Sequence, residues 1–102
     1  MWSHRDPVSL FAAVGPSKAG WSELEPTFRS VAARLRDGRD VSYELMTFDV
    51  TDDMAWTAGF VRFKVSMDGA PEAPYNLRIT HIYRREEGEW KVVHEHSNFE
   101  PA

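Results

Sequence analysis

The chain has 102 residues, of which 42% are hydrophobic, 13% aromatic and 27% charged. Such a chain buries roughly 65% of the surface its unfolded form exposes, enough for one core, so a multidomain, fibrous or disordered protein is excluded. Twelve Lys and Arg against sixteen Asp and Glu set the formal charge at −4, without the basic excess that nucleic acid or an anionic membrane demands of a partner. Cysteine is absent, which removes disulfides, thiolate nucleophiles and Cys-ligated metal centres.

At the N-terminus Arg5 precedes the apolar stretch Val8–Val14. The stretch is short for a signal sequence, Asp6 and Pro7 interrupt its approach, and no small-residue cleavage site follows. Nothing approaches the roughly 20 apolar residues of a membrane span, and a cytoplasmic location is expected. Val8 to Ala13 reads as a short buried strand, closed by the turn-rich Gly15-Pro16-Ser17-Lys18-Ala19-Gly20. Ser22 followed by Glu25 has the spacing of a capping box, and Leu24, Phe28, Val31, Ala32 and Leu35 recur at helical intervals before Gly38. Pro26 suits the first turn of a helix, which moves the expected regular start toward Glu25.

Beyond Gly38 the period becomes two. Val41 to Val50, Met54 to Ser66, Tyr75 to Arg85 and Glu89 to Ser97 are rich in β-branched and aromatic residues and are separated by turn residues. They predict an antiparallel meander which, with the first strand and the helix, makes an α+β protein with one sheet face packed on helical structure.

The last hairpin decides which side chains meet. A three-residue Glu86-Glu87-Gly88 loop with glycine in the left-handed position pairs Arg85 with Glu89. Thr80 then stands opposite His94, Arg78 opposite His96, and Ile82 opposite Val92 on one face. The other face carries Tyr75, Leu77, Ile79, His81 and Tyr83 beside Val93, Glu95, Ser97 and Phe99. A four-residue loop would set His81 opposite His94, since a one-residue slip exchanges faces. The glycine-bulge register is the favoured one.

The run Leu77-Arg78-Ile79-Thr80-His81-Ile82-Tyr83-Arg84-Arg85, with Gly88-Glu89-Trp90-Lys91-Val92-Val93-His94-Glu95-His96-Ser97 after it, resembles the C-terminal strands of SnoaL-like proteins of the nuclear transport factor 2-like superfamily. Trp2-Ser3-His4, the strand Val8 to Ala13 and Gly20-Trp21 resemble that family's earlier blocks. The C-terminal hairpin is also similar to that of the association domain of calcium/calmodulin-dependent protein kinase. The resemblance implies a cone-shaped half barrel, a strongly curved antiparallel sheet packed on helix, whose mouth holds a pocket. Members usually carry a long helix before the position of Trp2. Residues 1–102 therefore read as one SnoaL-like domain truncated at its N-terminus, with an exposed apolar face and a tendency to form a homodimer.

His94 and His96 have metal-ligand spacing, and Glu100 extends it to His-x-His-x-x-x-Glu. Arg78 opposite the pair repels a cation, so neither metal nor another cofactor is expected, and Thr80, His94, Arg78 and His96 read as a polar ladder at a subunit interface or an alternative pocket. On the other face His81 and Glu95 are the candidate catalytic pair, with Tyr43, Tyr75, Tyr83 and Ser97 as ligand-binding groups around a small apolar or carboxylate ligand. The resemblance extends to ketosteroid isomerases, polyketide cyclases, dehydratases and epoxide hydrolases, several of which use a pocket carboxylate, although no catalytic aspartate of theirs matches a position here. Two functions follow as expectations: a pocket protein that isomerises or cyclises a small apolar carbonyl compound, or a non-catalytic homodimeric association domain.

Overall fold

The structure, a computed structural model, describes residues 1–101. In chain order the elements are β1 (Ser9–Phe11), β2 (Ser17–Ala19), α1 (Trp21–Ala33), β3 (Leu35–Val50), β4 (Met54–Met67), β5 (Ala73–Glu86) and β6 (Glu89–Phe99). One six-stranded sheet runs β2-β1-β6-β5-β4-β3. All its joins are antiparallel except that between β1 and β6, which is parallel. The meander has the four strands the period-two pattern predicts, but β3 begins at Leu35 and takes in Gly38, ahead of the expected start at Val41, and β2 forms in a stretch expected to be turn only. No helix among the described residues is long and apolar enough to cross a membrane.

The helix differs from expectation at both ends. It starts at Trp21, with Gly20 at the N-cap and no capping side chain from within the helix; Pro26 lies inside it. Asp6 takes the role assigned to Ser22: its Oδ1 accepts the Trp21 N–H at 2.8 Å, a helix-terminal donor that needs a partner. The helix ends at Ala33, before Leu35, because Leu35 pairs with Met67 of β4. Arg34 secures that end, donating from Nε and Nη2 to the two oxygens of Asp68 at 2.8 and 2.7 Å. Those hydrogen bonds hold the Asp68 carboxyl below the usual carboxylate range.

The core sits where α1 crosses β1 and β6. Val8, Leu10, Leu24 and Val93 are buried there, with Trp2, Trp21 and Phe28 packed around them. The N-terminal segment is held to the far end of β5 by polar contacts. Buried Ser3 donates its hydroxyl proton to Glu86 at 2.7 Å, and Arg84 meets the same carboxylate at 2.8 Å.

β3 behaves differently from the rest of the sheet. It is an edge strand of 16 residues, exposed from Arg36 to Val50, and a regular edge of that length would template pairing with other chains. Its ladder is interrupted between Arg36 and Arg39, between Arg39 and Ser42, and between Leu45 and Thr47. Asp37 and Asp40 in this stretch occupy the left-handed region, at φ 58° and 56°. Such irregularities increase local twist and blunt an edge. Gly59 in β4, opposite Leu45, permits the bend: a Cβ there would collide with the backbone carbonyl of Glu44. Gly59→Ala is expected to lower stability by about 1–3 kcal/mol, read as a lower midpoint of chemical denaturation with an unchanged slope.

Candidate functional site

The β5–β6 hairpin closes with a two-residue turn, not the expected three-residue loop. Glu86 pairs with Glu89, and Glu87 and Gly88 between them both have positive φ, 50° and 81°, as a type I′ turn requires. A register continued from this turn would have set His81 opposite His94. It does not continue: Tyr83 pairs with Val92 and Ile82 with His94, so Val93 is an extra residue in β6. The bulge restores the parity that the turn shifted. Facing pairs become Thr80 with His96, Arg78 with Asn98, Ile82 with His94, and His81 with Glu95, in place of Thr80 with His94, Arg78 with His96 and Ile82 with Val92. The expected division of side chains between the two faces survives, although each pairing is displaced.

On the inner face, toward α1, His81 and Glu95 meet directly, with Nε2 and Oε1 2.8 Å apart. Their side chains are only 17% and 22% exposed, so the pair is held away from bulk water. Glu95 and Ser97, two residues apart on β6, line a cavity of about 140 Å³ with Val31, Leu35, Phe63, Leu77 and Phe99. Ser97 is buried, and its hydroxyl oxygen accepts the Ala13 N–H at 3.1 Å, which leaves its own proton free to donate. One carboxylate and one hydroxyl therefore stand about 7 Å apart along a strand, the spacing of neighbouring same-face residues, at an otherwise apolar wall.

The three tyrosines are divided. Tyr75 stacks on Phe63 at 5.8 Å and meets Phe99 in a tilted contact at 6.0 Å, so it touches two residues of the cavity wall without lining the cavity itself. Tyr83 sets its ring edge toward His81 at 5.9 Å and shares a 3.3 Å hydrogen bond with Thr57. It lines a second, open cavity of about 340 Å³ with Phe48, Val50, Ala55, Thr57 and Trp90. Tyr43 lies apart on β3, 48% exposed. Thr57 and Phe63 were not singled out in the sequence, and Val31 only as an apolar helix position; the pairing of β4 with β5 and the crossing of α1 bring them here.

The outer face carries Arg78, Thr80, His94 and His96. Ser9, also missed in the sequence, places its hydroxyl 2.7 Å from His94 Nδ1 because β1 lies parallel against β6. Phe11 sets its ring edge against both imidazoles. Burial, and secondarily the neighbouring His96, push the His94 pKa below the ordinary histidine value.

A SnoaL-like domain family matches residues 1–99. The chain belongs to the SnoaL-like family. Among curated proteins it is 24% identical to the F-box protein SKIP8 of Arabidopsis thaliana over 98 residues, which is 96% of this chain and 39% of that protein. The SnoaL-like chain thus spans well under half of that relative. Among solved structures it superposes on a ketosteroid isomerase-like protein from Erwinia carotovora atroseptica with a TM-score of 0.81 at 17% identity, covering 97% of this chain and 77% of that one. A protein from Streptomyces avermitilis described as a dehydratase of the NTF2-like family gives 0.75 at 21% identity, over 93% of this chain and 67% of that one. A Xanthomonas campestris protein described as a calcium/calmodulin-dependent protein kinase II association domain gives 0.72 at 20% identity, over 98% and 69%. At these identities the likeness shows the fold, which is nuclear transport factor 2-like: a curved, cone-like sheet that is not closed, packed on one helix.

A histidine with a depressed folded-state pKa binds fewer protons folded than unfolded, so stability is lost as pH falls from the ordinary histidine pKa toward the depressed one. His94→Asn is expected to flatten the decline in melting temperature between pH 7 and pH 5, measured by circular dichroism.

Proposed function

We propose that this SnoaL-like protein binds a small apolar carbonyl compound against the inner face of its sheet and moves a proton on it, as an isomerase or cyclase does. The observation that carries the reading is the His81–Glu95 pair, 2.8 Å apart, with Glu95 and Ser97 on the wall of one apolar cavity. Glu95 acts as the general base: Oε1 is engaged by His81, and Oε2, without a hydrogen-bond partner among the described residues, takes a proton from the carbon next to the substrate carbonyl. The electron pair left on that carbon moves onto the carbonyl oxygen, where the free Ser97 proton meets the developing charge. Returning the proton to another carbon completes an isomerisation, and attack of the carbanion on a second carbonyl, whose oxygen takes the proton back from Glu95, completes a cyclisation. His81 is the positioning residue, holding the carboxylate in one rotamer, with Thr57 opposite it on β4 and the Tyr83 ring against it. The described similarity of solved relatives to ketosteroid isomerases and dehydratases supports this chemistry by analogy of scaffold only.

A second reading, a non-catalytic homodimeric association domain in the cytoplasm, is favoured by the outer face. Met54 and Trp56 are 44% and 41% exposed on the same face that carries the polar Arg78 and His96, and one solved relative is described as an association domain.

Glu95→Gln is expected to leave the melting temperature within a few degrees of wild type and to lower turnover of a β,γ-unsaturated ketone by about 10²–10⁴-fold; turnover that survives the change removes Glu95 as base. Under the second reading, Arg78→Glu and His94→Glu convert a dimer to monomers in sedimentation equilibrium while the inner cavity still binds the ketone. A dimer that survives both changes places the interface elsewhere.

A further inference from the structure

Two depressions adjoin on the outer face and meet at Thr80. One, of about 270 Å³, is polar and lined by Arg78, Thr80, His96 and Asn98. The other, of about 300 Å³, is an almost wholly apolar trough lined by Met54, Ala55, Trp56 and Ile82, with Asp49 of β3 beside Trp56. The register explains their junction. On β5, Arg78, Thr80 and Ile82 project to one side, facing Asn98, His96 and His94 on β6, while Trp56 of β4 stands beside Ile82.

The polar depression is rich in donors. Arg78 Nε donates to Asn98 Oδ1 at 2.9 Å. That bond occupies one lone pair of the Asn98 amide oxygen and leaves the Nη1–Nη2 edge of the guanidinium without a hydrogen-bond partner among the described residues. That edge presents two parallel N–H groups in the geometry that matches the two oxygens of a carboxylate. Although the chain carries sixteen acidic residues, Arg78 has no carboxylate within ion-pair distance among the described residues, unlike Arg34, Arg39, Arg62 and Arg84. The Thr80 hydroxyl and the His96 imidazole add further donors at the rim. One guanidinium supplies one positive charge, which suits a monoanion.

We propose that the outer face binds a medium-chain alkyl monocarboxylate, its head group on Arg78, Asn98, Thr80 and His96 and its alkyl chain in the trough of Ile82, Trp56 and Met54. Arg78 and Ile82 are four residues apart on one strand, about 13 Å, the reach of an acyl chain on the order of eight to ten carbons. Asp49, whose Oδ1 accepts its neighbour's N–H at 2.8 Å, sets a negative charge next to Trp56, against which the tail packs, so a second carboxylate there is repelled. The site thus selects a monocarboxylate over the dicarboxylate of equal length. It stands apart from the inner cavity and does not depend on the His81–Glu95 chemistry.

The test is isothermal titration of the full chain with sodium octanoate, suberate, octan-1-ol and acetate, with melting temperatures as a folding control. Octanoate is expected to bind saturably at one site, with suberate, octan-1-ol and acetate each at least about tenfold weaker. Arg78→Gln should weaken octanoate about tenfold, the loss of one charge-assisted contact, and Arg78→Lys should restore part of it. Glu95→Gln should leave it unchanged. Absence of octanoate binding, equal affinity for suberate or octan-1-ol, or an Arg78→Gln variant that binds as wild type overturns the proposal. Loss of binding in Glu95→Gln but not in Arg78→Gln assigns the ligand to the inner cavity and overturns it as well. A dimer in sedimentation equilibrium that neither binds octanoate nor responds to it gives the face to a second copy, with the same consequence.

Discussion

The arrangement of every candidate functional residue depends on one local event, the bulge at Val93. A sheet has period two, so the register of β6 on β5 decides which side chains face the helix and which face outward. The two-residue turn at Glu87-Gly88 displaces that register by one from the three-residue loop, and the extra residue in β6 displaces it again. The sum is an even shift. Glu95 and Ser97 therefore stay on the helix side with His81, and His94 and His96 stay on the outer side with Thr80 and Arg78. With the turn alone and no bulge, the carboxylate would face outward and the imidazoles would enter the core.

The bulge also serves packing. Val92 and Val93 are both buried, an arrangement a regular strand beside one packed face does not offer to two successive residues. Val93 joins Val8, Leu10 and Leu24 in the core, while Val92 pairs with Tyr83 and bridges to Trp2. One irregularity thus ties the N-terminal segment, the helix and the last hairpin together and aims the polar groups of β6. Bulges are common where a side chain must be re-aimed beside a functional site.

Away from this corner the molecule is open. β3 is exposed along nearly its full length, and Tyr43, Leu45, Phe48 and Val50 are about half exposed or more. The interrupted ladder and the bend at Gly59 make that edge a poor template for further strands. Buried apolar surface is accordingly concentrated at the β1–β6–α1 side, where His81, Glu95 and Ser97 reside. The polar groups with constrained geometry lie next to the packed elements that can constrain them, as positioning a reacting group requires.

Composition and the change of hydrophobic period at Gly38 determined, from the sequence alone, a single α+β domain with one helix and a four-stranded meander, because periodicity is a local property that a strand or helix carries by itself. The C-terminal hairpin with its glycine turn was legible as SnoaL-like, and alternation along β5 and β6 was enough to divide His81, Glu95 and Ser97 from Arg78, Thr80, His94 and His96. Facing partners were not legible. They depend on turn length and on an unpaired residue that leaves no mark in composition, since Val92-Val93 reads equally well with or without a bulge. Contacts between residues distant in sequence were equally hidden: the Asp6 cap on Trp21, the Ser9 hydroxyl on His94, the Arg34–Asp68 pair that ends the helix before Leu35. Each forms only when the sheet order places β1 against β6 and the β4–β5 loop against the end of α1, so tertiary structure alone decides them.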